Sequence, residues 1–227
     1  MKKLGIIFAM EEELSELKKF INITKCNRIY DLVFYEGKIN NNFCILVKSG
    51  VGKVNSARCT QILIDNYKID YVFNIGVAGG IDNKLKVGDI IIGNKLVQHD
   101  FDITAFNHKK GYIPNTGVYI NSDEYLLKLS KSISNNKGIH IGVIASGDIF
   151  CTDYSMSKKI NNKFNALCVE MEGAAVAQVC YLCDVPFLII RSISDVPNNE
   201  NVVTYEEFLV SSSKKVANFM KNIIDII

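Results

Sequence analysis

No run of apolar residues in this 227-residue chain approaches the ~20 that a membrane-spanning helix needs. The first apolar stretch stops at Met10, and Glu11, Glu12 and Glu13 follow it. It is too short for the core of a secretory signal and no small-residue cleavage site succeeds it, so a cytoplasmic protein is expected. An excess of one charge is also missing. Lys and Arg number 26 against 24 Asp and Glu, the net charge is +2, and the lysines are scattered singly. That distribution offers no basic face to nucleic acid or to an anionic membrane. Paired cysteine spacing is absent as well. The seven cysteines stand at 26, 44, 59, 151, 168, 180 and 183, an odd count that argues against a disulfide framework. Cys180 and Cys183 form a lone CxxC with no histidine nearby, which reads as core thiols and not as a metal site. There is no internal repeat, linker or low-complexity segment. With 48% hydrophobic and 22% charged residues, the composition is globular and the length suits one domain over 1–227.

What is present is an alternation of apolar strands with helices. Residues 3–9 read as a buried strand, and a turn at Met10 opens an acidic helix. Glu11, Glu12 and Glu13 complement the dipole of that helix, a role that needs none of them buried. A carboxylate at a strand-to-helix junction also lies where open α/β sheets bind ligands. Residues 30–37 and 42–49 pattern as a hairpin. The turn 49–53, SGVGK, then opens a helix to about residue 66; it lacks the spacing and ending of a phosphate loop and reads as a tight turn with close backbone approach. A buried strand over 71–75 ends in a small-residue turn, 76–80. Further strands are expected at 87–93, 95–98 and 138–145, helices at 123–135 and 204–227, and an aromatic-rich loop at 99–114. This order predicts a three-layer α/β/α fold around a central twisted sheet, and the hairpin makes that sheet mixed.

The chain is organised around residues 168–195. Glu170 and Glu172 stand where an apolar strand ends, and the helix that follows, to about residue 183, is apolar nearly all round. A second apolar strand, 185–194, delivers Arg191, Ser194 and Asp195. A carboxylate left beside a buried core costs several kcal/mol unless it is paired or used. The alternative is structural: Glu170 and Glu172 cap a helix, Arg191 forms an ion pair at a strand end, and Asp195 ends a strand in solvent.

GIIFAMEEE, SGVGKVN, NIGVAGG, VGDI, HDFDITAF, SGDIF, VEMEGAA and RSISD follow one another in an order that resembles the 5′-methylthioadenosine/S-adenosylhomocysteine nucleosidases. The resemblance runs from Lys3 to about Phe208. VEMEGAA with a later SD belongs to the wider nucleoside phosphorylase and hydrolase family, whereas AMEEE with HDFDITAF is more specific to the nucleosidase branch. It implies a nucleoside phosphorylase-like fold and hydrolysis of an N-glycosidic bond, with no cofactor and no metal. By the same resemblance Asp195 is the general acid, Glu13 the base and Glu172 the holder of the ribose hydroxyls. Phe150 and the backbone at Cys151 match adenine-binding positions, and Met171 packs under the ribose. Met10, Val51 and Tyr205 match the alkylthio pocket. Ile103, Phe106 and Pro114 match residues lent to a neighbouring subunit. The glycine turn supplies Val77, Ala78 and Gly79; Val77 stands where the family often has Ser, so a hydroxyl contact there is lost or made by backbone. Glu170, Arg191 and Ser194 complete the expected binding set.

The chemistry implied suits these residue types. Adenine leaves poorly as an anion, so an acid must protonate it. Asp195 must then be protonated near neutral pH, which asks for ~4 kcal/mol of differential environment over its ordinary ~3.9. Carboxylates stabilise an oxocarbenium-like sugar, and Glu13 can take a proton from water. The resemblance also bears on the choice between water and phosphate. Phosphorylase relatives clamp phosphate with arginines and a hydroxyl, and AMEEE with Asn74, Ile75, Gly76 and Val77 stands in those places, so hydrolysis is favoured over phosphorolysis. A purine nucleoside phosphorylase, a futalosine hydrolase and a purine-binding or storage protein remain the alternatives. The expected partners are an adenine thionucleoside, water and a second copy of the chain. Phe101, Ile103, Phe106, Tyr112 and Ile113 give the loop 101–114 too much apolar surface for a segment left alone, and two-fold pairing would cover it.

Overall fold

A computed structural model describes residues 2–133, 138–196 and 201–227. Among these residues are ten strands: β1 (Lys3–Phe8), β2 (Asn22–Ile29), β3 (Leu32–Ile39), β4 (Asn42–Lys48), β5 (Tyr71–Gly80), β6 (Ile90–Gln98), β7 (Ile120–Asn121), β8 (Ile139–Ser146), β9 (Ala166–Glu170) and β10 (Phe187–Asp195). Six α-helices accompany them: α1 (Glu11–Lys18), α2 (Lys53–Tyr67), α3 (Glu124–Ser132), α4 (Tyr154–Phe164), α5 (Gly173–Leu182) and α6 (Asn201–Ile226). All strands belong to one mixed sheet in the order β10-β6-β8-β9-β5-β1-β4-β3-β2, with β7 beside β6. β10 also pairs with β5, so five strands close on themselves and β1, β4, β3 and β2 extend from that ring.

Helices cover both faces. Leu4, Ile6 and Phe8 of β1 point to one side, where α1, α3 and α6 bring Leu14, Leu17, Leu126, Val216, Met220 and Ile223. Ile7 points to the other, where α2 and α5 bring Cys59, Leu63, Val176 and Cys180. This is the period-two alternation of a strand with both faces buried. The three-layer α/β/α arrangement with a mixed sheet is therefore present.

Several expectations need correction. The small-residue stretch 76–80 is not a turn but the end of β5, because β10 pairs with Gly76, Val77, Ala78 and Gly79 and β9 pairs with Gly79 and Gly80. The two strands expected at 87–93 and 95–98 are one strand, β6, with a bulge between Gly93 and Lys95. β2 was not expected. It is polar and forms an antiparallel edge against β3, and it carries Cys26, an exposed thiol and not a core one. Nor was α4, although Met156, Ile160 and Phe164 recur at helical spacing, Asp153 caps its start by accepting from Ser155 N at 2.8 Å, and Asn165 ends it in the left-handed region. The last two residues of the helix expected at 123–135 lie outside the described residues. Among the described residues, no helix is long and apolar enough to cross a membrane.

Candidate active site

Strand ends converge on a cavity of about 360 Å³, within the usual size of small-molecule sites. Ala9, Met10 and Glu13 enter it after β1, Val51 after β4, and Val77, Ala78 and Gly79 from β5. Ile149, Phe150 and Cys151 follow β8, Val169 to Glu172 end β9, Ser194 and Asp195 end β10, and Tyr205 and Glu206 come from α6.

Glu13 is 3% exposed and belongs to the first turn of α1. Its Oε2 accepts from the N–H of Ala9 at 2.9 Å and of Met10 at 3.0 Å, and its Oε1 from the N–H of Val77 at 3.0 Å. Burial pushes its carboxyl above the usual range, against the Arg191 charge and those three N–H groups. Glu11 and Glu12, its neighbours, are exposed. Val77 meets Glu13 through its backbone N–H, a bond in which its side chain takes no part.

Glu170 and Glu172 divide the two readings offered by the sequence. Glu170 is a helix cap and ion-pair partner: its Oε2 accepts from Glu172 N at 3.1 Å, Gly173 N at 2.7 Å and Arg191 Nη2, and its Oε1 accepts from Ser146 Oγ. Glu172 turns away from that cap, and its Oε1 accepts from Gly52 N at 2.8 Å. Gly52 has φ 99°, a conformation that only glycine adopts at little cost, which is what the tight turn after β4 requires. Burial, reinforced by the neighbouring Glu170 charge, pushes Glu172 up to about 7.

Asp195 is 2% exposed, and Ser194 Oγ donates to its Oδ1 at 2.7 Å. Its Oδ2 lies over Gly79, where a Cβ would stand 3.3 Å away. A bulge between Ile193 and Asp195 carries the carboxyl off the sheet ladder. Tyr205 and Phe150 meet edge to face at 5.5 Å, and Tyr205 Oη lies 3.1 Å from Met10 Sδ. Burial pushes the Cys151 thiol up, which makes it a poor nucleophile.

Arg191 does not line the cavity. It stands behind it, 1% exposed and paired with Glu170, where it orients a carboxylate as an ion pair within the strand ends. Ile103, Phe106 and Pro114 also lie outside the cavity, on the loop after β6; Phe106 is 77% exposed. Lys53, at the start of α2, ties the rim together: its Nζ reaches Asp100 at 2.7 Å and Gln98 at 3.1 Å, and its N–H donates to Asp148 at 2.8 Å. Sequence reasoning missed Ala9, Ile149, Val169 and Glu206 as lining residues. Each is adjacent to one it found, and that adjacency was the available signal. Among the described residues, no three His, Cys, Asp or Glu side chains gather in a group that could hold a metal ion.

A family model described as the phosphorylase superfamily matches residues 3–225. A 5′-methylthioadenosine/S-adenosylhomocysteine nucleosidase of Geobacillus sp. (strain WCH70) is 41% identical over 98% of this chain and 97% of its own. That of Staphylococcus haemolyticus is 37% identical over 99% and 100%. The Neisseria meningitidis nucleosidase, solved in complex with methylthio-immucillin-A, superposes with TM-score 0.97 at 33% identity and full coverage of both chains. The structure of a futalosine hydrolase of Helicobacter pylori superposes with TM-score 0.96 at 35% identity, over 100% of this chain and 98% of that one. The chain belongs to the phosphorylase superfamily and, within it, to the family of 5′-methylthioadenosine/S-adenosylhomocysteine nucleosidases.

Proposed function

We propose that this protein hydrolyses the N-glycosidic bond of 5′-methylthioadenosine and S-adenosylhomocysteine, and also that of 5′-deoxyadenosine, releasing adenine and the ribose-derived sugar. One observation carries the reading: in a member of the nucleosidase family, Glu13, Glu172 and Asp195 are buried around one cavity that, among the described residues, no Lys, Arg or His lines. Asp195 protonates the purine as the bond breaks, with Ser194 holding one of its oxygens. Glu13, pinned by backbone N–H groups, receives the proton of the attacking water. Glu172 accepts hydrogen bonds from the ribose hydroxyls, which orients the ring, and Met171 packs beneath it. Phe150 and the Cys151 backbone hold the adenine; Met10, Val51 and Tyr205 enclose the alkylthio group.

Among the described residues, a phosphate nucleophile in this cavity would meet carboxylates and no lining cation, which supports water as the acceptor. The chain works as one domain, as a cytoplasmic homodimer in which Ile103, Phe106 and Pro114 of each copy wall the other's alkylthio pocket. The likeness to the Helicobacter pylori futalosine hydrolase supports a second reading, in which futalosine is also a substrate. Adenine release from each of these nucleosides, measured with and without phosphate, tests the assignment. Free sugar in both conditions is expected. Sugar 1-phosphate as product, or no turnover despite tight binding, would overturn it in favour of a phosphorylase or a binding protein.

A further inference from the structure

Behind the cavity, a buried polar contact is made by a side chain that the reaction as described does not use. Asn74 lies within β5, 1% exposed, in register with Ile7 of β1 on one side and Ile189 of β10 on the other. Burying an amide there costs a few kcal/mol unless its groups find partners. Both do. Nδ2 donates to the Ile7 carbonyl at 3.1 Å, and Oδ1 accepts from Arg191 Nη2. The Asn74 carbonyl also accepts from Arg191 Nη1 at 3.1 Å. The same Nη2 donates to Glu170 Oε2. One residue therefore grips the guanidinium fork with side chain and backbone and presents it to a carboxylate.

The placement matters because β1 and β5 also hold Glu13. Ile7 precedes by two residues the N–H of Ala9 that binds Glu13 Oε2. Arg191 is in register with Gly76, against which the Glu13 carboxylate lies. We infer that Asn74 is a positioning residue of this site: by bridging the Ile7 carbonyl to the Arg191 guanidinium, it fixes that cation among Glu13, Glu170 and Glu172. The inference rests on the hydrolase reading above. Arg191 opposes the upward push of burial on both Glu13 and Glu172, so a guanidinium released from Asn74 leaves those carboxyls harder to ionise.

Asn74→Leu, close in volume, removes the acceptor. In the adenine-release assay its kcat should fall about tenfold to a hundredfold with KM little changed. The acid limb of its kcat/KM profile should move to higher pH by about one unit, since the base must be ionised. A purely structural Asn74 would lower thermal stability and leave that limb in place, and this result in a folded variant overturns the inference. Should Asn74→Leu not fold, Asn74→Ser is read in the same way, and failure of both to fold assigns Asn74 to the fold alone. Absence of any wild-type turnover overturns the hydrolase reading, and this inference with it, before the variants are compared.

Discussion

Three acidic residues in a row show how little a residue type says about its role. Glu11, Glu12 and Glu13 share the first turn of one helix, yet only Glu13 is buried and accepts three backbone N–H bonds. If the cluster served only the helix dipole, all three would contribute alike, by a few tenths of a kcal/mol. Glu13→Gln should instead abolish turnover, while Glu11→Gln and Glu12→Gln stay close to wild type in a steady-state assay. Asp195→Asn should lose ~10²–10⁴-fold in kcat while remaining folded by circular dichroism, since an amide cannot supply the proton. Glu172 adds a stability prediction. Its carboxyl is pushed up to about 7, so the folded state favours the neutral form. An unfolded glutamate ionises at about 4.3, so above that pH the unfolded chain binds fewer protons and stability falls, until the folded carboxyl has also ionised near 7. Glu172→Gln removes that penalty. Its melting temperature should exceed wild type at mildly alkaline pH, reflecting a gain of up to about 4 kcal/mol in stability, with little difference at acid pH and with activity lost. Equal melting temperatures at alkaline pH would contradict the assigned burial cost.

Among the elements, β5 brings two of the site's carboxylates against its backbone. Its last five residues, GVAGG, carry little side chain, and β10 and β9 pair with its edges. The carboxylates of Glu13 and Asp195 lie directly against its backbone, at Gly76 and Gly79. The two contacts differ in tightness. A Cβ on Gly76 would stand 2.4 Å from Glu13 Oε1, and Glu13 cannot retreat without breaking its N–H bonds. A Cβ on Gly79 would stand 3.3 Å from Asp195 Oδ2, a contact that a small shift relieves. Gly76→Ala should therefore cost about a hundredfold in kcat/KM, and Gly79→Ala distinctly less. Similar losses for both, measured side by side, would show that the closeness of the carboxylate is not what the glycine protects. α5 contributes through its start. Its N-terminal N–H groups are met by Glu170 and Ser146 Oγ, which leaves Glu172 free of capping duty and aimed at Gly52.

At the scale of the whole molecule, the exposed loop carrying Phe106 stands apart from the cavity of its own chain. The proposed two-fold pairing would cover a phenyl ring left 77% exposed. Sedimentation should find a dimer, and Phe106→Asp should raise KM for thionucleosides or weaken the dimer. A fully active wild-type monomer at nanomolar concentration would rule out the shared site, and a dimeric Phe106→Asp variant with unchanged KM would rule out the pocket role alone. The amino-acid sequence by itself determined the alternation of strands and helices, because the short apolar run at 187–195 and the longer uncharged stretch after Glu172 mark buried elements by composition and length that are read locally. It also placed Glu13, Glu172 and Asp195 at strand ends, where the motif spacing is read along the chain. It did not reveal β2, which is polar with only a weak alternation, or α4, despite the helical spacing of Met156, Ile160 and Phe164. Only the tertiary structure decided that GVAGG is strand and not turn, that Glu170 caps while Glu172 faces the cavity, and that Arg191 stands behind it in the grip of Asn74. Those outcomes depend on which strands lie side by side. β5 meets β10 across more than a hundred residues of chain, and no local pattern encodes such a register.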